Sequence, residues 1–373
     1  MTDNPEPDAI MGAPHPRHTM HLLGQSAAEA EFLAAWNLGR LHHAWLISGP
    51  RGVGKATLAW RLARFLLATP AQDGGMFAPP SPTTLDIADT HPVRARMLAL
   101  AESRLFLLRR PWDDKNDRAR AEITVDEVRR LKSYFALSAA DGGQRVAIID
   151  AVDDMNINAA NALLKLLEEP PARVTLLLIA HQPARLLPTI RSRCRELRLM
   201  PLSADDLSAA LTGAGGDVAP QDSVALAELA GGSVGAAFAL TNLDGLKLYT
   251  ALIRLFATLP RLDRPMALAL AEQGGRRGAE PIFDLIVTLI DLFLSRLARA
   301  GTLSLLPPEA ARGEQALIER LSPDRQAARA WADLAQSLGN RARRGRAVNL
   351  DPAALLLDMV LKIDEVAGML AQR

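Results

Sequence analysis

The first two thirds of the chain alternate between short apolar runs and amphipathic stretches. Ala44–Ser48 (AWLIS), residues 105–108 (LFLL), residues 145–149 (RVAII) and Val174–Ala180 (VTLLLIA) are nearly continuous in apolar character, which predicts strands covered on both faces. Helical periodicity follows the first three of them, over residues 57–68, 125–135 and 159–167. Strands alternating with helices predict a parallel sheet in an α/β layer. Residues 69–84 are rich in Pro, Gly and Ser and read as a surface insertion.

Past Met200 the strand pattern stops. Residues 201–240 read as short helices broken by Gly213, Gly215, Gly216, Gly231 and Gly232. From about Leu243 onward, long amphipathic helices are punctuated by Pro260, Gly274, Gly275, Pro307, Pro308 and Gly345. The expected organisation is an arm over 1–20, an α/β domain over 21–200, a small helical domain over 201–245 and a helical domain over 246–373. The arm carries Pro5, Pro7, Pro14 and Pro16 and no apolar core, which reads as a mobile segment rather than an export signal. The most apolar stretch, residues 281–300, is interrupted by Asp284, Asp291 and Arg296, so a buried helix is expected there and not a membrane span. Cytoplasmic residence is the expectation.

Composition narrows the chemistry. The chain has 373 residues, 43 Lys+Arg against 42 Asp+Glu, and a formal net charge of +1, which argues against a broadly basic nucleic-acid coat. Its one cysteine, Cys194, excludes an internal disulfide and a cysteine zinc cluster. No His, Cys or carboxylate spacing suggests a metal site.

The segment from Gly49 to Lys55 (GPRGVGK) follows the first expected strand and opens a helix, the context of a phosphate-binding loop. Gly49, Gly52 and Gly54 let backbone N–H groups close around phosphate oxygens, and Lys55 adds a full charge. The pattern calls for Ser or Thr directly after the lysine to hold Mg²⁺; Ala56 stands there, and Thr57 is one residue late, turned by about 100° on a helix. Two readings stay open: ATP or ADP bound weakly without hydrolysis, or a loop that only joins strand to helix. Asp150 ends an apolar strand, where phosphate-loop ATPases keep a Mg²⁺-holding Asp. The next position, where a second carboxylate addresses the attacking water, is Ala151. Asp153 and Asp154 lie beyond the strand and read as starting the helix at 156–169. With alanine at both places, no intrinsic ATPase is expected.

Residues 156–171 (NINAANALLKLLEEPP) and 186–194, ending in Ser192-Arg193-Cys194, closely resemble the clamp-loader subunits of bacterial DNA polymerase III. Leu23-Gly24-Gln25, His43-Ala44 and residues 123–138 match the same family. The resemblance is dense over 22–200, weaker over 201–245 and mostly architectural beyond. It implies an AAA+ type parallel-sheet P-loop domain, a small helical lid and an all-α C-terminal collar. The details resemble the family's delta-prime branch, whose members lose the hydrolytic groups and keep the Ser-Arg-Cys triplet. Gly235 stands where ATPase members carry a sensing Arg, and His181 stands in place of a sensing Thr. Many relatives carry a four-Cys zinc module after the first helix, and residues 70–92 here contain no Cys, so no zinc is expected.

The resemblance implies a non-hydrolytic stator in the polymerase III holoenzyme. It would bind gamma/tau and delta subunits and help load the sliding clamp on primed DNA. Arg193 would enter the neighbouring gamma/tau subunit's ATP site as an arginine finger, against the alternative of an ordinary ion pair in its own domain. An active gamma/tau-like ATPase is the competing reading. Cys194 reads as a small buried hydrophobe rather than a reactive thiol. Arg185, Arg191, Arg193, Arg195 and Arg198 read as an interface cluster. Arg341, Arg343, Arg344 and Arg346 read as a solvated helix end rather than a DNA contact. The last helix, with Leu355, Leu356, Met359, Val360, Leu361 and Ile363, is expected to join other subunits' collar helices.

Overall fold

A computed structural model of the chain describes residues 6, 9–10, 12–70, 80–113, 115, 118–136, 143–216 and 218–372. Residues 71–79 of the expected insertion lie outside the described residues. The chain forms two compact units, Met1–Gly215 with Gly232–Gly235, and Gly216–Gly231 with Ala236–Arg373.

The first unit runs α1 (Ser26–Asn37), β1 (Ala44–Ser48), α2 (Lys55–Ala68), α3 (Pro92–Leu98), β2 (Leu105–Arg109), β3 (Trp112–Asp113), β4 (Arg118–Ala119), α4 (Val125–Ala136), β5 (Arg145–Asp150), α5 (Ile157–Glu168), β6 (Val174–Ala180), α6 (Pro188–Arg191), β7 (Arg195–Arg198) and α7 (Ala204–Gly213). Five strands form one parallel sheet in the order β2-β5-β6-β1-β7, and β3 and β4 pair as a small antiparallel ribbon. β1 and β6 are buried along their whole length, as their unbroken apolar sequences require between two helical layers. β5 pairs with β6 from Arg145↔Val174 to Asp150↔Ile179, and β6 pairs with β1 up to Ser48↔Ala180. The ends of three strands therefore bring the loop after Ser48, Asp150 and His181 to one edge of the sheet.

β7 escapes the sequence pattern because three of its four residues are charged. Only Leu197 points into the core. The other side chains are held by neighbours: the Arg195 guanidinium lies 5.1 Å from the Trp45 ring centre and pairs with Glu31 at 3.0 Å, and the Ser48 hydroxyl donates to Glu196.

The expectation of a mobile arm over 1–20 needs correction for its described part. Pro16–His18 forms a turn of 3₁₀ helix, and His15 meets Trp60 edge-on with ring centres 6.0 Å apart. Two buried arginines of α2 hold the backbone that follows. Arg64 donates to the carbonyls of Arg17 at 3.0 Å and Thr19 at 2.9 Å, and Arg61 donates to that of Met20. A guanidinium has five donors and no acceptor, so burying two of them demands oxygens, and the segment's carbonyls supply them. Burial also pulls Arg64 down to about 10.

The second unit contains α8 (Ser223–Ala230), most of α9 (Val234–Asn242), α10 (Gly245–Ala257), α11 (Arg264–Gly275), α12 (Glu280–Leu303), α13 (Glu314–Leu321), α14 (Arg325–Ala347) and α15 (Pro352–Ala371). The apolar stretch expected to be buried forms α12, with Phe283, Ile286, Ile290, Phe293, Leu294 and Leu297 in the core. Among the described residues no single helix is long and apolar enough to cross a membrane. α15 buries Leu355, Leu356, Met359, Val360, Ile363 and Ala367, whereas Leu361 is exposed.

A buried ionic network ties four of these helices. Glu314, fully buried, accepts from the Tyr249 hydroxyl at 2.5 Å, from Arg296 Nε at 2.7 Å and from the Ala310 N–H at 2.7 Å. Arg296 also meets Glu228 of α8 at 3.3 Å and donates to the Pro308 carbonyl. Removing one partner of such a network strands the other charge in a site water cannot enter. Arg296→Ala is predicted to destabilise the chain by about 3–5 kcal/mol in urea denaturation. An unchanged unfolding midpoint would contradict this account of the second unit.

Candidate functional site

The loop between β1 and α2 has the backbone shape its glycines were expected to give. Gly52 and Gly54 sit at φ +75° and +101°, the left-handed region that favours glycine. α2 starts at Lys55 with no side-chain cap, so its first N–H groups are presented to the loop. What fills the loop is the protein itself. Lys55 is 3% exposed, and its ammonium donates to the carbonyls of Gly49 at 2.7 Å and Pro50. Burial pulls the ammonium down to about 8, against the attraction of Asp150 and Asp153; the charge of Arg51 adds to the fall.

The loop tip is covered as well. A Cβ placed on Gly52 would come within 2.2 Å of Ser233 Oγ and 2.9 Å of the Gly235 nitrogen, and the Gly235 N–H lies 3.3 Å from the Gly52 carbonyl. A Cβ on Gly54 would meet Leu22 at 2.5 Å. At Gly235, the position read as a lost sensing Arg, an added Cβ would meet Ile10 at 2.8 Å. The residues as placed do not fit a resident polyphosphate. A phosphate in this loop requires Lys55 to leave two carbonyls and the tip to part from residues 233–235.

The other residues singled out in the sequence fall around this loop with altered partners. Asp150 ends β5 and pairs in register with Arg109 and Ile179. Ala56 and Thr57 lie in the first turn of α2. Asp153 and Asp154 do not cap α5; Asn156 does, accepting from the Ala159 N–H at 3.0 Å. Asp153 instead accepts from the backbone of His181 and from Gln182 at 3.1 Å, while Asp154 pairs with Arg110 at 3.2 Å. Burial drives His181 down to about 4, helped by the charges of Lys55, Arg51 and Arg110, so its ring is neutral at physiological pH. Arg51, Arg110 and Asp153 are thus part of the site, and no spacing in the sequence announces them. Among the described residues no three His, Cys, Asp or Glu side chains converge as metal ligands would.

Arg193 sits elsewhere, on the turn between α6 and β7. Its side chain is 35% exposed; Nη2 pairs with Glu168 at 2.9 Å and Nη1 donates to the Thr189 carbonyl at 3.0 Å. Of the neighbouring arginines, Arg185 meets Gln182 at 3.1 Å, and Arg191 and Arg198 are exposed. In the C-terminal cluster Arg341 pairs with Asp358 at 2.6 Å and Arg346 pairs with Asp284; Arg344 is exposed, and the Arg343 side chain lies outside the described ones. Cys194 packs against the core of the first unit beside Arg193.

The parallel sheet, the phosphate-type loop between β1 and α2, and β6 lying between β1 and the strand ending in Asp150 define a P-loop-type α/β fold of the AAA+ class. Residues 24–203 match the family model described as DNA polymerase III, delta subunit. Over this stretch, just under half of its length, the chain is similar to clamp-loader subunits of DNA polymerase III, delta-prime subunits among them. It is 41% identical over 152 residues to DNA polymerase III subunit delta' of Pseudomonas aeruginosa, covering 41% of each chain. It is 33% identical over 216 residues to subunit delta' of Escherichia coli, covering 57% of this chain and 59% of that one. Subunit tau of Salmonella typhimurium is 31% identical over 192 residues, covering 52% of this chain and 27% of that one. The matched stretches thus span about 59% or less of these relatives' lengths.

Burial pushes the Cys194 thiol up to about 12, so the flanking arginines do not activate it. A raised thiol pKa keeps the unreactive protonated form dominant through pH 8 and releases thiolate only as pH nears 12. Alkylation of the native chain at pH 8 is predicted to be about a thousandfold slower than in denaturant, from the thiolate fraction alone. Equal rates in the two conditions would contradict the packing of Cys194 against the core.

Proposed function

We propose that this chain is a non-hydrolytic, delta-prime-like clamp-loader subunit that completes a neighbour's ATP site instead of running its own. The observation that carries the proposal is the state of Lys55: its ammonium is spent on the carbonyls of Gly49 and Pro50 under a loop tip covered by residues 233–235. Ala56 and Ala151 add to it, the first standing where a hydrolytic site holds Mg²⁺ and the second where its carboxylate addresses the attacking water.

Arg193 supplies the complementary half. Its guanidinium is partly exposed on the turn before β7 and carries a charge that no physiological pH removes. Placed against the ATP of an adjoining gamma/tau-type subunit, it stabilises the charge that spreads over the γ-phosphoryl oxygens. That is worth about 10³–10⁵ in rate for arginines of this kind. In this reading the chain works with gamma/tau and delta subunits, and through them acts on the sliding clamp and primed DNA. Weak ATP or ADP binding at Gly49, Gly52, Gly54, Lys55, Thr57 and Asp150 would require the loop to open and would stay without turnover.

The similarity to tau keeps an ATPase as the second reading. Purified chain with Mg·ATP separates the two. The stator reading predicts no turnover above background and no change on Lys55→Ala. Robust turnover abolished by Lys55→Ala would establish the motor. In the assembled complex, Arg193→Ala is predicted to lower DNA-stimulated ATPase by about 10³ and to stop clamp loading; unchanged rates would overturn the finger.

A further inference from the structure

An arginine on an exposed turn samples many rotamers, and every rotamer aimed away from a neighbour's phosphate is unproductive. The backbone under Arg193 is well fixed. Ile190 is buried and Cys194 packs on the core, while the Arg193 N–H donates to the Ile190 carbonyl at 3.1 Å and that of Ser192 to the Pro188 carbonyl at 2.9 Å. The side chain is held by a hydrogen bond to the Thr189 carbonyl at 3.0 Å and an ion pair with Glu168 at 2.9 Å. A guanidinium has five N–H donors, so three stay available for a forked contact with phosphate oxygens.

Glu168 is the less expected partner. It is the last residue of α5, whose C-terminal carbonyls repel a carboxylate, and Glu169, Pro170 and Pro171 follow. Leu163, Leu166 and Leu167 bury the same end of α5, so the carboxylate is carried on a fixed support.

We infer that Glu168 is a positioning residue for Arg193, setting the guanidinium's direction before the neighbouring ATP site closes on it. The inference rests on the reading of Arg193 given above. At 47% exposure for Glu168 and 35% for Arg193 the pair is solvated enough to orient the arginine without trapping it.

The test is the DNA-stimulated ATPase of the assembled complex, with kcat and the KM for ATP measured separately. Glu168→Ala should lower kcat about fivefold with KM unchanged, the size an exposed pair can contribute. Glu168→Gln, which keeps an acceptor oxygen, should retain most of kcat. In an Arg193→Ala background, Glu168→Ala should have no further effect. A loss with Arg193→Ala but none with Glu168→Ala would overturn the positioning role and leave the finger standing. An equal loss from Glu168→Ala in both backgrounds, or a rise in KM, would mark a merely structural residue and also overturn it. No loss with Arg193→Ala would remove the finger itself, and the inference with it.

Discussion

A buried ammonium has to be met by oxygen, and much of the first unit follows from how Lys55 meets that demand. In a working phosphate loop the oxygens come from the ligand. Here Lys55 takes them from Gly49 and Pro50, and the tip at Gly52 rests against Ser233 and Gly235. The surrounding charges are arranged consistently with this. Asp150 and Asp153 favour the ammonium, Arg51 and burial oppose it, and His181 stays neutral beside it. Asp153 satisfies the backbone N–H groups of His181 and Gln182 after β6. A polar group brought inside without partners costs more than the bond it gives up, so each loss of a ligand group is matched by an internal replacement.

The sheet was legible because its central strands are sealed on both faces. Ala44–Ser48 and Val174–Ala180 stand in the structure with the bounds their apolar runs predict. β7 was not, because an edge strand with one buried residue in four has no run to recognise. The arm over 1–20 misled for a related reason: its prolines and polar residues give no periodicity. What binds its described part is the donor surplus of Arg61 and Arg64, which becomes visible only once α2 is known to be buried. Of the candidate residues, the loop glycines, Lys55 and Asp150 were read from motif spacing, and Arg193 from the resemblance carried by Ser192-Arg193-Cys194. Arg51, Arg110, Asp153 and Glu168 were not, since their roles arise from segments that meet only in three dimensions. One local signal was available: a glutamate in the last turn of α5, on the wrong end of the helix dipole.

Lys55 and Arg193 are opposite solutions to carrying a positive charge. The lysine is buried, shifted and satisfied within its own loop. The arginine is half-buried, always charged and held by one hydrogen bond and one ion pair that leave most of its donors unused. The first arrangement keeps its cation inside the loop; in the proposed reading the second offers its cation to a neighbour's phosphate. The arithmetic of net charge near zero hides this, because it averages a silent cation with a presented one.

The most direct measurement is a paired comparison in the assembled complex, with either Lys55→Ala or Arg193→Ala introduced in this chain alone and DNA-stimulated ATP hydrolysis recorded for both. A chain that lends a guanidinium and keeps no nucleotide predicts a rate unchanged by Lys55→Ala and strongly reduced by Arg193→Ala. A rate that falls with Lys55→Ala and holds with Arg193→Ala would contradict the account.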